Sequence, residues 1–472
     1  MRWSGTGAIY EGASSGFVVD QSVSAPGEIS SPRVKRLVKE FLWVGAGQIA
    51  AVAGGLVGIR LLTQALSPVS YGELALAMTV ATLAQQVVLG PAAGAMLRFF
   101  APAHEAKQLR AYLKGSCGLV TEGTCLVLVL AVLSALALLL SGQTQWITLL
   151  VGAFLYSLLS GYCSALDGMQ NAARQRAVVA WHQGLGQWLR FCLALAFIAV
   201  WGALSSAAML GYATASAAVL GSQIFLFRRK ILAMLSDQSS AMDAAAGCWT
   251  RPMRGYAWPF AIWGVFTWAQ MASDRWALQL CGSASAVGLY AAVYQLGYYP
   301  MTLFSGFLAQ LVLPILFSRA GDGTDKGRLA ASHRLNRLIF SSSMSLTLIG
   351  GLVAWAFHRQ IFALFVGPEY RQVSPWLPAM VLAGGLFAAA QVAGLSLLSE
   401  VDTKRLIAPK IVTALLGVGG NFAGAFWFGL PGVVCASVLF SMTYLTWVWI
   451  LTTGVLRRKR VLLFDPLSNR RS

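Results

Sequence analysis

The sequence predicts an all-α integral membrane protein that crosses the bilayer about twelve times. Hydrophobic residues make up 57% of its 472 residues, whereas charged residues make up only 11%. A soluble chain carries about a quarter charged residues. The apolar runs are continuous and do not alternate with polar residues, which excludes the strands of a membrane barrel. Lipid is therefore the solvent for most of this chain.

Twelve apolar runs, each long enough to cross a bilayer as a helix, fall into two sets of six. The first set is Phe41–Thr63, Tyr71–Leu97, Gly115–Leu140, Trp146–Leu166, Val178–Trp201 and Ser206–Phe227. The second set is Ala257–Leu280, Ala286–Phe317, Leu338–Phe357, Pro375–Leu398, Ala408–Phe428 and Gly432–Leu456. The longest connection lies between the sets and predicts a linker between two six-helix lobes.

Five segments follow from these runs. Residues 1–36 are expected to be a disordered cytoplasmic tail, because they are rich in Gly and Ser. Residues 37–228 and 256–456 are expected to form the two lobes, with a cytoplasmic linker at residues 229–255. Residues 457–472 are expected to form a basic cytoplasmic C-terminal tail.

The distribution of lysine and arginine predicts the orientation. With the N-terminus in the cytoplasm, 30 of the 35 Lys and Arg residues fall on the cytoplasmic side. The outer loops hold only Arg359 and Arg371, as the positive-inside rule requires. We therefore expect both termini in the cytoplasm, and we attribute the net charge of +18 to topology and not to nucleic-acid binding. Three arginines remain inside the helices: Arg60, Arg190 and Arg275.

A short internal repeat supports a duplicated architecture. The segments Tyr71–Ala75 and Val287–Ala291 are alike, and they begin the second and eighth helices. Arg60 precedes the first segment and Arg275 precedes the second. Internal duplication is common among transporters.

Three stretches, in their order and spacing, resemble a known family. They are Leu66–Gly72 before a helix that ends at Leu97–Phe99, Ser273–Arg275 before Val287–Tyr294, and Phe365–Tyr370 before the helix Pro375–Leu398 and the turn Gly429–Gly432. Together they resemble the polysaccharide biosynthesis, or O-antigen flippase, family of the multidrug/oligosaccharidyl-lipid/polysaccharide exporter superfamily.

The resemblance implies two six-helix lobes around a central cavity. It implies a transporter and not an enzyme: a flippase in the bacterial inner membrane that moves an undecaprenyl-pyrophosphate-linked oligosaccharide by alternating access. The product would be a surface polysaccharide such as lipopolysaccharide O-antigen, capsule or exopolysaccharide. The expected partners are the lipid-linked oligosaccharide, membrane lipids, a polysaccharide polymerase and chain-length machinery. No cofactor is expected beyond possible coupling to H⁺ or Na⁺.

The arginines within the helices are the first candidates for substrate binding. An ionisable group inside a membrane usually faces a cavity or a partner. Because a guanidinium binds phosphate oxygens bidentately and keeps its charge, Arg60, Arg190 and Arg275 are expected to bind the pyrophosphate. Arg98, at the cytoplasmic end of the second helix, is expected to meet the headgroup on entry. For Arg60 and Arg275 the alternative is snorkelling at the outer interface, or a local pair of Arg275 with Asp274. For Arg98 the alternative is positive-inside topology.

Tyrosines and carboxylates complete the candidate site. Tyr290, Tyr294 and Tyr298 form one stripe that is expected to stack on sugars, with helix packing as the alternative. Glu122 and Asp274 are candidates for H⁺ or Na⁺ coupling, with ion pairing as the alternative.

The fifth helix departs from the family pattern. It carries His182 and Arg190 where small or amide residues are usual, whereas the equivalent place in the second lobe holds Asn421. His182 is a weaker coupling candidate, because a single histidine in a membrane helix more often has a structural hydrogen bond.

Two other functions remain open at this stage. A small-molecule or drug antiporter of the same superfamily should line its cavity with acids, whereas this chain has three arginines and few acids in its helices. A membrane polysaccharide polymerase or ligase usually needs a sizeable outer loop for its catalytic groups, and the only substantial one here is His358–Ser374.

The predicted topology can be tested with reporter fusions. Fusions after Gly142 and Ser283 should report an outside location, and a fusion after Arg229 should report a cytoplasmic one. Alkaline phosphatase activity and green fluorescent protein fluorescence measure the two locations. An inverted pattern at all three positions would contradict the orientation.

Overall fold

The computed structural model describes residues 31–173, 175–235, 249–305, 308, 326–399 and 407–463, and helices dominate these ranges. The predicted all-α membrane fold is confirmed. The expected disordered tail up to residue 30, the middle of the expected linker and the last nine residues lie outside the described residues.

Each predicted apolar run corresponds to helix where the structure describes it, and residues 306–307 and 309–317 of the run Ala286–Phe317 lie outside the described residues. The first lobe contains α1 (Ser31–Ala65), α2 (Pro68–Ala84), α3 (Gly90–Glu105), α4 (Leu109–Leu140), α5 (Ile147–Ala172), α6 (Arg176–Trp201) and α7 (Ser205–Leu235). The second contains α8 (Thr250–Cys281), α9 (Ala284–Leu296), α10 (Lys326–Phe365), α11 (Leu377–Ser399), α12 (Ile407–Phe428) and α13 (Leu430–Leu463). A π-helical turn at Gln85–Leu89 joins α2 to α3, and a 3₁₀ segment at Pro368–Trp376 precedes α11.

Nine helical segments in the described ranges are long and apolar enough to cross a membrane. The chain is therefore a multi-pass membrane protein. α8 is 32 residues long but is not among the nine, because its tryptophans, glutamines and charged residues lower its hydropathy. A membrane helix of this composition has a polar face that must contact protein or water.

Several helices extend beyond the boundaries expected from sequence. α1 begins at Ser31, so residues 31–36 of the expected tail are helical. α7 continues to Leu235 and α8 begins at Thr250, so both extend into the expected linker. Lys and Arg are good helix formers, and these helix ends continue beyond the apolar run that sequence detects.

The two lobes repeat one packing scheme. In the first lobe α1 packs on α6, α6 on α7, α7 on α5, and α5 on α2. In the second lobe α8 packs on α12, α12 on α13, α13 on α11, and α11 on α9. The same order of neighbours in both halves agrees with the short repeat in the sequence.

The lobes meet most closely where α2 and α9 begin. A Cβ on Gly72 would lie 1.8 Å from the carbonyl oxygen of Ala284, and one on Gly288 would lie 1.9 Å from that of Pro68. Ser67 and Ser283 cap the two helices in the same way, each accepting a backbone N–H three residues on at 3.3 Å. Only glycine permits this backbone contact, and the two glycines hold equivalent places in the repeat.

The turn between α1 and α2 also joins the 3₁₀ segment of the second lobe; we call this end of the bundle the Ser67 end. The backbone N–H of Gly367 donates to Thr63 Oγ1 at 2.9 Å. Tyr370 donates its hydroxyl to the carbonyl of Leu66 at 2.9 Å, and its ring packs edge-on against Tyr71. These contacts close the Ser67 end between the lobes.

A second seam runs along α8 to the opposite end, which we call the Trp249 end. α8 packs in turn on α2, on the π-helical turn, on α3 and on α4. A Cβ on Gly264 would lie 2.1 Å from the carbonyl oxygen of Gln86, so the backbones touch there too. Trp249 donates its indole N–H to Gln108 Oε1 at 3.2 Å.

The glycine contact predicts a pair of opposite stability effects. Gly72→Ala should destabilise the protein by at least about 1–3 kcal/mol, because the backbones must separate. Gly221→Ala should be neutral or stabilising by about 0.5–1 kcal/mol, because nothing lies within 4 Å of the added carbon. Thermal unfolding of both detergent-purified variants measures the difference. Equal midpoints would show that the contact is not tight.

Candidate functional site

A buried ion pair lies on α8 in the half towards the Ser67 end. Arg275 Nη1 is 3.3 Å from Asp274 Oδ1, and the two side chains are 12% and 8% exposed. Asp274 Oδ1 also accepts the backbone N–H of Arg275 at 2.7 Å, and Oδ2 accepts the Tyr290 hydroxyl at 2.8 Å. The local pair considered at the sequence level is therefore present, and its charges cancel.

Polar side chains from three other helices surround this pair. Asn421 on α12 donates its amide to Ser273 Oγ at 2.9 Å, next to Asp274 on α8. The hydroxyl of Tyr290 on α9 lies 3.4 Å from Ser437 Oγ on α13. Hydrogen bonds through Tyr290 thus connect the pair on α8 with α9 and α13, and the Asn421–Ser273 bond ties α12 to α8 beside it.

The tyrosine stripe supports Arg275. The Arg275 guanidinium carbon lies 4.5 Å from the ring centroid of Tyr294. The ring of Tyr298, just beyond α9, stacks on Tyr294 with centroids 4.9 Å apart. Tyr290 is fully buried, whereas Tyr294 and Tyr298 are partly exposed. Of the three tyrosines, Tyr290 therefore has a packing role, and the other two retain free surface.

Arg190 occupies the first lobe. Its guanidinium carbon lies 5.4 Å from the ring centroid of Tyr156 on α5 and 5.5 Å from that of Tyr212 on α7. It is within electrostatic range of Tyr299, which belongs to the second lobe. Within the described part of the chain, no carboxylate lies within ion-pair distance of Arg190. It is a cation held on aromatic faces.

Arg60, unlike Arg190, bonds to backbone carbonyls of the other lobe. Its Nη1 donates to the carbonyls of Val366 and Ala363, the latter at 2.9 Å, at the end of α10. With the Gln64 amide oxygen facing Arg60, Nε and Nη2 donate to it at 3.2 and 3.0 Å. The side chain therefore links the lobes at the Ser67 end. Arg98 is partly exposed on α3.

Glu122 also links the lobes, at the α4–α8 seam. Arg254 donates to both of its carboxylate oxygens, with Nε 3.1 Å from Oε2. The Arg254 and Glu122 side chains are 62% and 47% exposed, so solvent weakens the pair. Such exposed pairs contribute about 0.2–1 kcal/mol. The weakness of the pair suits a contact that forms and breaks.

A cavity of about 290 Å³ lies between the α2–α3 span and α8. Its lining combines aromatic rings, glycine backbone and two polar side chains: Gln86, Gly90, Pro91, Gly94, Tyr256, Phe260, Trp263, Gly264 and Thr267. On α8 these residues lie on the opposite face from Ile262 and Val265, which are exposed on the outside of the helix. We call this cavity the α3–α8 pocket.

The chemistry of the pocket suits a sugar ring. Aromatic faces pack against apolar C–H faces, and the amide of Gln86 and the hydroxyl of Thr267 can bond to hydroxyl groups. Gln86 Oε1 is buried and has no partner in the structure. The Lys410 ammonium lies 5.1 Å from the Trp263 ring, so a positive charge is close by. Thr267 precedes Arg275 by about 12 Å along α8.

Sequence reasoning missed this pocket and also Asp167. The pocket residues of α8 recur at helical spacing, but most of them fall within the run Ala257–Leu280, whose aromatic and apolar composition indicates only a membrane span. Asp167 follows directly after the fourth apolar run, which ends at Leu166, so hydropathy alone does not include it in that helix. In the structure Asp167 lies inside α5, with hydrogen bonds to α6 and α7. The one signal in the sequence was that Asp167 directly follows the apolar run, where the helix can still continue.

The polysaccharide biosynthesis protein family provides a match over residues 37–319. This chain belongs to that family. The match covers the whole first lobe and reaches into the second, in agreement with the resemblance found in the sequence. No curated protein matches the chain.

Solved structures show the same fold. Lipid II flippase MurJ in an inward closed conformation is similar with a TM-score of 0.64 at 12% identity, over 88% of this chain and 87% of that one. An inward-facing multidrug resistance MATE family transporter gives 0.59 at 13%, over 87% and 95%. A variant of the Vibrio cholerae MATE transporter VcmN gives 0.56 at 15%, over 90% and 97%. At these identities the likeness establishes the fold, two six-helix lobes, and nothing finer.

The buried pair predicts a strong thermodynamic coupling. Asp274→Asn and Arg275→Gln should each cost about 3–5 kcal/mol, because each leaves an uncompensated buried charge. The double variant should cost less than the sum of the two. Arg254→Gln, in the exposed pair, should cost about 1 kcal/mol or less. Thermal unfolding of the four purified proteins provides the comparison, and additive single effects would contradict the coupling.

Proposed function

We propose that this protein is a flippase that moves an undecaprenyl-pyrophosphate-linked oligosaccharide across the bacterial inner membrane for surface polysaccharide assembly. The family and the fold support a lipid-linked flippase or a transporter of the same superfamily. A pyrophosphate carries negative charge and the glycan presents hydroxyl groups and C–H faces. The site must therefore offer a cation and aromatic surface within the membrane.

Arg190 is the observation that carries this proposal. An arginine in a membrane helix is costly unless it has a partner. Here it rests on Tyr156 and Tyr212, has no carboxylate within ion-pair distance in the described ranges, and lies within electrostatic range of Tyr299 in the second lobe. An anionic headgroup between the lobes would supply the missing countercharge. Arg275 would assist from the second lobe, although Asp274 already neutralises it.

The α3–α8 pocket is proposed to receive a sugar of the same substrate. It opens between the lobes, and its volume of about 290 Å³ suits a single monosaccharide unit. Tyr294 and Tyr298 would add further stacking surface. The headgroup and the first sugars would thus contact both lobes at once, so rocking of one lobe against the other would carry them across.

The arrangement of contacts fits alternating access. The Ser67 end is closed by Arg60, Thr63, Gly367 and Tyr370. Under the predicted orientation this end faces the periplasm, and both termini lie in the cytoplasm. The substrate would enter from the cytoplasmic side past Arg98. A polymerase and chain-length machinery would act on the product after release.

Coupling to H⁺ or Na⁺ is a further part of this proposal, with Glu122 and Asp274 as the candidate carboxylates. Neutralising Glu122 would release Arg254 and weaken the α4–α8 seam. Neutralising Asp274 would free Arg275 to bind the substrate.

A small-molecule antiporter is the second candidate, because multidrug transporters share the fold. A cationic drug needs an unpaired carboxylate in the cavity. Within the described residues Glu122 and Asp274 are each paired with an arginine, both carboxylate oxygens of Asp167 already accept amide N–H groups, and Arg190 presents a positive charge. The site therefore favours an anion.

Replacing Arg190 tests the proposal. Arg190→Ala should lower surface polysaccharide at least tenfold in cells that depend on this protein, with unchanged membrane expression, and Arg190→Lys should retain part of the activity. The control Arg371→Ala, in a predicted outer loop, should have no effect. Purified protein should bind a prenyl pyrophosphate in an Arg190-dependent manner. Normal polysaccharide in Arg190→Ala, or preferential binding of a cationic dye, would contradict an anionic substrate.

A further inference from the structure

Asp167 is a carboxylate in the first lobe that is not among the residues proposed to bind substrate. Gln223 on α7 donates its amide to Oδ1 at 2.7 Å, and Gln183 on α6 donates to Oδ2 at 3.2 Å. Asp167 itself belongs to α5, about 7 Å along the helix axis from its end at Ala172. One side chain thus holds three helices together near the Trp249 end.

Both partners of this carboxylate are neutral amides. In the described part of the chain no lysine or arginine lies within 4 Å of its oxygens, in contrast to Glu122 and Asp274. An ionised carboxylate within a membrane segment is costly without a countercharge. Binding a single positive charge would remove that cost.

Gln223 supplies a second, independent observation. Its side chain is 1% exposed, and its Oε1 is buried without a hydrogen-bond partner. The amide N–H of this residue suits the ionised form of Asp167. If the amide turns over, Oε1 meets the carboxyl group and can accept a hydrogen bond from a protonated Oδ1. Gln223 is therefore matched to both protonation states.

The surrounding groups favour a proton over a metal cation. Amide N–H groups cover both carboxylate oxygens, and no cluster of three or more His, Cys, Asp or Glu side chains occurs in the described ranges. Na⁺ would need several oxygen ligands, whereas a proton needs only one acceptor.

The other titratable and charged groups nearby come from α5, α6 and α3. Cys163 lies one turn earlier on α5, and Arg190 is within electrostatic range of that thiol. His182 on α6 lies within electrostatic range of Asp167. On α7 the facing residues are Ser222 and Gln223, which do not titrate.

Two further contacts define these surroundings. On α3 the residues against Gly168 are Ala93 and Leu97, and Arg98 follows. The His182 ring bonds to the carbonyl of Val178 at 2.8 Å and to Ser222 Oγ at 3.0 Å. Because the carbonyl only accepts, a neutral ring that donates from Nδ1 and accepts at Nε2 satisfies both contacts.

We propose that Asp167 is a proton-binding site of the first lobe, with Gln183 and Gln223 as its positioning residues. A proton from water at the Trp249 end forms the O–H bond at Oδ1, and the cluster changes from a charge of −1 to neutral. The Gln223 amide turns to accept this O–H. In the ionised state both amides donate to the carboxylate, whereas in the protonated state the Gln183 amide still donates and the Gln223 amide accepts. The proton thereby changes how the three helices hold together.

The use of this proton to drive transport rests on the proposed function, but proton binding itself does not. Infrared difference spectroscopy on the full chain in lipid nanodiscs, between neutral and acidic pH, measures proton binding directly. We expect a protonated-carboxyl stretching band that is lost in Asp167→Asn. The band should persist in the matched controls Glu122→Gln and Asp274→Asn, and choline chloride and sodium chloride should give the same band.

Three results would overturn the proposal: persistence of the band in Asp167→Asn, its loss in Asp274→Asn instead, or its suppression by sodium. If Asp167→Asn does not fold, Asp167→Glu decides, because a longer carboxyl in the same place must shift the band. An unshifted band would assign the proton elsewhere. Loss of the band in Asp167→Asn with normal polysaccharide assembly would count against the use of this proton in the proposed function and would leave proton binding itself intact.

Discussion

The backbone contact between Gly72 and Gly288 is the constraint on which the rest of the structure depends. It places the first turns of α2 and α9 against each other, and the two serine caps fix where those turns begin. From there both spans run towards the Trp249 end, so the lobes share one fixed point. This fixed point sets the positions of the tyrosine stripe that follows Gly288 on α9, of Arg275, which packs against that stripe, and of the α3–α8 pocket.

Sequence reasoning could predict what depends on local composition. Hydropathy located the helices that the structure describes, the repeat around Gly72 and Gly288 indicated duplication, and the loop charges isolated Arg60, Arg190 and Arg275 from the others. It could not predict their partners, because those come from distant parts of the chain. Arg60 bonds to a carbonyl more than three hundred residues away. The roles of the three arginines therefore separate only in three dimensions.

The charged side chains of the bundle differ in burial and in whether they have an ionic partner. Pairs that hold the protein together, such as Asp274 with Arg275, are buried and neutral. The Glu122–Arg254 pair is exposed, weak and placed across the seam between lobes. Arg190 and Asp167, by contrast, carry charge without an ionic partner among the described residues. Arg190 is proposed to bind an anion and Asp167 a proton, and each binding event would supply the countercharge that the group lacks.

The π-helical turn at Gln85–Leu89 has a consequence for how the pocket could change shape. Gly90 donates its backbone N–H to Gln85, five residues back, so this turn holds one residue more than an α-helical turn. Removing that extra residue from the turn would rotate α3 by about 100° relative to α2. Gly90 and Gly94 would then leave the pocket and bulkier neighbours would enter it. The depth of the α3–α8 pocket would thus be set by whether the backbone hydrogen bonds at Gln85–Leu89 follow the π-helical or the α-helical pattern, and not by a hinge between rigid bodies.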